Sequence, residues 1–296
     1  MLKLNIKNNT KAQLLGVIFV LPTLVFIIIF GIIPIFSSIK YSFTDWDGIS
    51  ASNFVGFENY INAFKDEVNR KAIVNTFILS VSVVMINLVI GFMFANFLSG
   101  IKGRIAEAGK VILFIPHILS FAAVGVLFSF IYSSTDLGLL NKITSNFGIE
   151  PFPWLGSVYT AMPAVILSHV WKGFGFDFLL YYAGIQTIPA SLLEAGDIDG
   201  ATEWQKIWNV KIPSLKPITQ LIIVLGFVRA MLTFTMVMFL TPEGGPEKST
   251  EVVATWFYKN SFTFWEFGYG AALAIILAVL VLIVTVVLRK IFKEEV

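Results

Sequence analysis

Cysteine is missing altogether from the 296 residues, which excludes thiolate catalysis, disulfide staples and every cysteine-based zinc site. Histidine is scarce too, with only His117 and His169, too few for a histidine-built metal centre. Charge is short: 14% of residues are Asp, Glu, Lys or Arg, and 56% are apolar, with a mean hydropathy of +0.81. A water-soluble domain carries roughly 25% charge, so an ordinary soluble enzyme is excluded and the chain belongs in a membrane. The balance of 21 Lys and Arg against 19 Asp and Glu leaves +2, too little to point to nucleic acid. No phosphate loop is present, because Gly103 to Lys110 has one residue too many between its glycines and no Ser or Thr after Lys110. A nucleophile with a base, or paired acids, is also missing, so no catalytic residue, cofactor or metal is assigned.

What the chain does have is long apolar runs, and about 20 such residues cross a bilayer as a helix. Four are unbroken, Leu14 to Phe36, Phe77 to Leu98, Val111 to Tyr132 and Tyr269 to Leu288. Two more are interrupted, Val158 to Ala183 by Lys172 and Asp177, and Ile218 to Leu240 by Arg229. The expected fold is therefore an all-α polytopic membrane protein with six transmembrane helices. The first run follows three lysines, but it is too long for a signal peptide and no A-x-A cleavage site follows, so it reads as a retained helix. Pro22, Pro34, Pro116 and Pro163 fall within spans and predict kinked helices.

Short cytoplasmic segments collect Lys and Arg. With the N-terminus inside, the inner segments hold 12 of the 19 basic residues outside the spans but only 7 of the 18 acidic ones. Both termini are expected on the cytoplasmic side. The organisation expected is a cytoplasmic tail over 1–13, a first helix with an outer loop over 14–71, a core with helices two to six over 72–288, and a second tail over 289–296.

Between the fourth and fifth spans lies a cytoplasmic segment, Gln186 to Pro217, too long for a tight connection. Pro189 suits a first helical turn, Ser191 to Asp199 favour a helix, and Gly200 suits a turn with positive φ. A second helix is expected from Ala201 to Val210, stopping before Pro213. Glu194, Asp197, Asp199 and Glu203 would then cluster on a compact knob able to enter a groove of a soluble partner.

This segment resembles the cytoplasmic signature of permease subunits of binding-protein-dependent ATP-binding-cassette importers, E-A-A, three residues, G, nine residues, I-x-L-P. Here the matching residues are Glu194, Ala195, Gly196, then Gly200, then Val210, Lys211, Ile212, Pro213. The spacing matches throughout, with Gly196, Val210 and Ile212 as departures. Further features are similar to the sugar-type permeases: Ser42-Phe43-Thr44 with Trp46, Gly56-Phe57-Glu58-Asn59-Tyr60, Pro153-Trp154-Leu155-Gly156, Asp199-Gly200-Ala201, and Leu240-Thr241 with Gly244-Gly245-Pro246. The resemblance implies an ATPase-coupling loop made of Glu194, Ala195, Gly196, Asp199, Gly200, Ala201 and Pro213, and a chain that hydrolyses no ATP itself. It also implies partners: a second homologous permease as heterodimer, a dimer of ATP-binding subunits, an extracellular or periplasmic solute-binding protein, and a carbohydrate, at the bacterial inner membrane. The bland reading of the segment is an interfacial amphipathic connector.

Ionisable residues in mid-bilayer usually face a cavity or a partner. Arg229 is central in the fifth span and Lys172 nearly so in the fourth, which makes them candidates for the substrate path, with Trp171 as a stacking face and Thr233, one helical turn after Arg229, as a polar contact. Lys172 and Asp177 are five apart, about 140° around a helix, so they are not expected to pair. The two cations are expected to be offset by carboxylates or carbonyls of the second permease, or by an acidic group on the cargo. The runner-up function is a secondary transporter driven by an ion gradient, which predicts internal repeats and midplane carboxylates; Asp177 is the only acid within the spans.

Overall fold

The computed structural model describes residues 6–135 and 138–293. The first five residues of the N-terminal tail and the last three of the C-terminal tail, both expected in the cytoplasm, lie outside the described residues. Among the described residues the chain is helical, with one isolated antiparallel bridge between Thr44 and Phe54. The expected all-α class holds.

The first apolar run forms α1 (Ile6–Ile27), a π-helical turn (Ile28–Ile32) and α2 (Ile33–Tyr41). Pro34 follows the wide turn directly, where the extra residue gives its ring room that a regular α-turn denies. The run's side chains are largely exposed, Phe19 at 80% and Phe30 at 71%, and α2 rests against the last helix. The loop that follows, expected on the outer side, folds back on itself. Asn59 donates from Nδ2 to the carbonyls of Ser42 and Thr44 at 2.9 and 2.8 Å, and Ser42 Oγ lies 2.7 Å from Tyr60 Oη. Asp47 accepts from the backbone N–H of Ile49 and Ser50, and α3 (Glu58–Lys65) follows. The outer motifs Ser42-Phe43-Thr44 and Asn59-Tyr60 are thus the two halves of one hydrogen-bonded staple.

The core is built on α4 (Glu67–Ser99), which Asp66 caps by accepting from Val68 N–H, packed along α8 (Ala161–Thr187). The third apolar run, expected as one kinked span, is instead two helices, α5 (Arg104–Ile118) and α6 (Phe121–Ile131), bent by 94°. Pro116 weakens the last turn of α5, Leu119 turns to extended backbone, and Ser120 caps α6 by accepting from Ala123 N–H. A short α7 (Leu139–Ser145) is tied to the next outer motif by Asn141, whose Oδ1 accepts from Trp154 Nε1 at 2.7 Å.

Past the 186–215 segment, α12 (Lys216–Met231) ends early, and a break at 232–234 separates it from α13 (Thr235–Leu240). The fifth apolar run is therefore discontinuous as well. The second pieces of the two broken runs, α6 and α13, pack on each other, while α12 lies on α4. The chain closes with α14 (Val253–Phe262) and α15 (Phe267–Lys293). Close approach is bought with glycine: a Cβ on Gly175 would strike the Leu113 carbonyl of α5, and one on Gly184 would strike Ile218. By length and apolarity three helices suffice to cross a membrane, and up to five if each bent pair is one span.

Candidate functional site

The segment expected in the cytoplasm is a two-helix knob. Pro189 precedes α9 (Ala190–Ile198), Gly200 takes φ of +71° in the turn, and Ala201 N–H closes that turn on the Gly196 carbonyl at 2.9 Å. The second helix starts later than expected and runs further. Thr202 and Gln205 form a reciprocal capping box that opens α10 (Glu203–Lys206), a π-helical turn (Ile207–Lys211) follows, and α11 (Ile212–Ser214) completes it. Pro213 does not stop this helix as expected, because the preceding π turn withdraws the carbonyls its ring would meet. At Leu215, which is fully buried, the chain bends by 67° into α12.

Of the predicted coupling residues, Glu194 and Ala195 lie exposed on α9, Asp199 and Gly200 are exposed in the turn, and Gly196 and Ala201 are half-buried beneath. Pro213 is exposed at the far end of the second helix, apart from the others. Two lysines that sequence reasoning passed over fix the knob. Lys206 Nζ contacts Asp197 Oδ1 and Glu203 Oε1, each at 2.5 Å, and these two hydrogen bonds, Asp197 first, raise its pKa. Lys211 Nζ donates to Asn96 Oδ1 near the C-terminal end of α4, at 2.7 Å. The spacing of Glu203 and Lys206 was a visible signal; the contact of Lys211 with α4 was not.

In the middle of the apolar belt, three polar residues of α8 reach helix ends. Asp177 accepts from Arg229 of α12 at 2.9 Å, and the guanidinium lies 4.6 Å from the Phe176 ring centroid. Lys172 donates to the His117 carbonyl at 3.0 Å and sits 4.2 Å above Phe121. That carbonyl is free because α5 ends one residue later, and the negative end of the helix dipole adds to the attraction. His169 Nε2 lies 2.5 Å from Thr233 Oγ1. As expected, Lys172 and Asp177 do not pair.

Two expectations are corrected. Thr233 does not share a helical face with Arg229, because α12 stops at Met231 and Thr233 is in the break. Arg229 does not await an external carboxylate, since Asp177 supplies one within the chain. Trp171 packs edge-on against Phe128, centroids 5.4 Å apart, in the main core. A small cavity of about 60 Å³ is lined by Asn87, His117, His169, Lys172, Asp177 and Arg229, among others. Buried Asn87 Oδ1 and His117 Nδ1 have no hydrogen-bond partner. Ligand pockets hold roughly 300 Å³ or more, so in this state the cavity admits water or one functional group but no sugar ring. Among the described residues no cluster of His, Asp and Glu could hold a metal ion.

The arrangement is that of a helical, multi-pass membrane protein with an exposed two-helix knob and a group of polar side chains between its central helices. The family described as binding-protein-dependent transport system inner membrane component matches residues 87–293. The probable ABC transporter permease protein YurN of Bacillus subtilis (strain 168) is 31% identical over 95% of this chain and 97% of its own length. The diacetylchitobiose uptake system permease protein NgcF of Streptomyces coelicolor is 32% identical over 86% of this chain and 76% of its own. Among solved structures, a bacterial ABC transporter involved in import of the acidic polysaccharide alginate superposes with a TM-score of 0.85 at 24% identity, over 98% of both chains. The chain belongs to the family of inner-membrane permease components of binding-protein-dependent ABC importers, and it is a transport subunit, not an enzyme.

Proposed function

We propose that the chain forms half of the translocation path for an oligosaccharide and couples it to a separate ATPase through the 190–214 knob. The carrying observation is that the E-A-A-type spacing folds into an exposed two-helix knob, with Glu194 exposed on α9, joined through a buried elbow to α12. In this reading Glu194, Ala195, Asp199 and Gly200 meet the ATPase dimer, with Gly196, Ala201 and Pro213 shaping the knob. A second, homologous permease supplies the other half of the path, and a solute-binding protein delivers the carbohydrate from outside. In this reading the chain has six spans, with α8 as the fourth, and both termini and the knob lie in the cytoplasm, which the Lys and Arg distribution supports.

Carbohydrate cargo is supported by the relatives' names: besides diacetylchitobiose uptake, the relatives include a multiple sugar-binding transport permease of Streptococcus mutans. The substrate path is assigned to the mid-membrane cavity lined by Lys172 and Arg229, with Thr233 behind the lining His169; Trp171, in the core, stands further back. An acidic cargo would meet Lys172 and Arg229 there, but neither cation requires one, because each has compensation in the chain. Replacing Arg229 by Gln separates the possibilities: selective loss of acidic cargo marks an anion contact, while loss of all transport with assembly marks a structural arginine. The ion-driven alternative loses ground, because its one candidate carboxylate, Asp177, is held by Arg229.

The test is Glu194→Ala and Gly200→Pro. The first removes a docking contact, and the second demands φ near −65° where the turn needs a positive value. Both variants are expected to reach the membrane and to lose ATP-dependent uptake; parental uptake by both rejects the coupling assignment.

A further inference from the structure

We propose that Lys206 is the positioning residue of the coupling knob, a buried clamp that fixes α9 against the helix after it and so sets the direction in which Glu194 is presented. The inference rests on the coupling reading above and adds the element that gives the knob its shape.

The two helices have almost no core of their own. No residue of α9 is buried, and the one buried residue of α10 is Lys206, with 9% of its side chain exposed. A lysine thus occupies the place where a larger domain would put a leucine. Its ammonium bridges Asp197 on α9 and Glu203 on its own helix. Its methylene stem runs over Gly196, where an added Cβ would stand 3.3 and 3.4 Å from Cγ and Cδ. This accounts for glycine where the family signature has alanine: the missing methyl leaves the channel in which the stem lies. The clamp also sorts the knob's charge. Asp197 and Glu203 share one ammonium inside the knob, while Glu194 and Asp199 remain for a partner.

The remaining ties favour a transmitting role. Lys211 fastens the second helix to Asn96 of α4, and Leu215 seats the elbow. Without Lys206, α9 would be held to the second helix by the Gly200 turn and to the core by the partly buried Leu193, and movement of the ATPase would swing α9 instead of driving α10, the elbow and α12.

The absence of cysteine makes the test direct. Spin labels on Ser191→Cys and Asn209→Cys, both exposed positions, report the angle between the two helices in the fully assembled transporter. Lys206→Met keeps the stem and deletes the charge; it is expected to broaden the distance distribution and cut uptake by about tenfold, with the ATPase still bound, and Lys206→Arg is expected to restore most of both. Gly196→Ala is expected to reduce uptake about threefold beside Lys206 and to be neutral beside Lys206→Ala, the non-additivity of a direct contact. Parental uptake and an unchanged distance in Lys206→Met overturn the clamp, and so does additivity of the Gly196 and Lys206 substitutions should Lys206→Met fail to assemble. Glu194→Ala run in parallel separates the cases: if it transports normally the coupling reading itself fails, whereas if it is inactive and Lys206→Met is not, only the clamp is wrong.

Discussion

Arg229 and Asp177 make the energetics of single residues in the apolar belt concrete. Asp177 is buried and Arg229 is 40% exposed along its side chain, so removing one partner strands a charge in a poor solvent. Breaking a fully buried pair costs about 3–5 kcal/mol, and the exposure of Arg229 reduces this to about 1–3 kcal/mol. Asp177→Asn or Arg229→Gln is expected to lower the unfolding temperature of the detergent-solubilised assembly, and the double variant to recover most of the loss; strictly additive losses would refute the pairing. The outer loop offers a second residue-scale test. Backbone N–H groups of Ile49 and Ser50 hold Asp47 down to a pKa of about 2, from the ordinary 3.8. A depressed carboxylate contributes its stabilisation above the unfolded value and loses it as pH falls through the folded one. The turn is therefore expected to keep its structure from pH 7 to about 4 and to loosen only as the pH approaches 2, read from Trp46 emission in a variant with the other tryptophans replaced. The sequence showed Asp177 as the one acid within the spans but not its partner, because Arg229 is 52 positions away and meets it only through the approach of α12 to α8.

At the scale of elements, the breaks matter more than the helices. Residues 111–132 contain no Asp, Glu, Lys or Arg, and hydropathy does not register a 94° elbow. The signals that did exist were Pro116 and the capping Ser120, and they become decisive only when Lys172 of α8 takes up the carbonyl that the break releases. The same holds for 218–240, where Thr233 loses its helix and gains His169. The outer motifs were legible as patterns but not as roles, since Asn59 and Asn141 show their purpose only once they bridge distant backbone and Trp154. The α5–α8 contact gives the test of this scale. Gly175→Val places a branched side chain against the Leu113 carbonyl, and overpacking of this kind costs about 1–3 kcal/mol. Expected is a chain that reaches the membrane but unfolds at lower temperature and transports poorly; parental stability would mean that α5 is not held where it is described.

The whole molecule reads as one half of something. Its first span leaves most of its apolar surface uncovered by the chain itself, and its polar cavity is too small for a sugar ring. Both observations fit a path completed by another subunit. The proposed partner is a different, homologous permease. A homodimer would bring two copies of the Lys172 charge, balanced only by helix ends, to one path. Purification of an active transporter with two identical permeases would contradict this. The most direct test of the account is uptake of radiolabelled oligosaccharide into proteoliposomes that contain this chain, with the partner permease, the ATPase subunits and the binding protein added or withheld one at a time. The account predicts uptake only in the complete set, only with ATP, and its loss on Glu194→Ala. Gradient-driven uptake by this chain without an ATPase would contradict it.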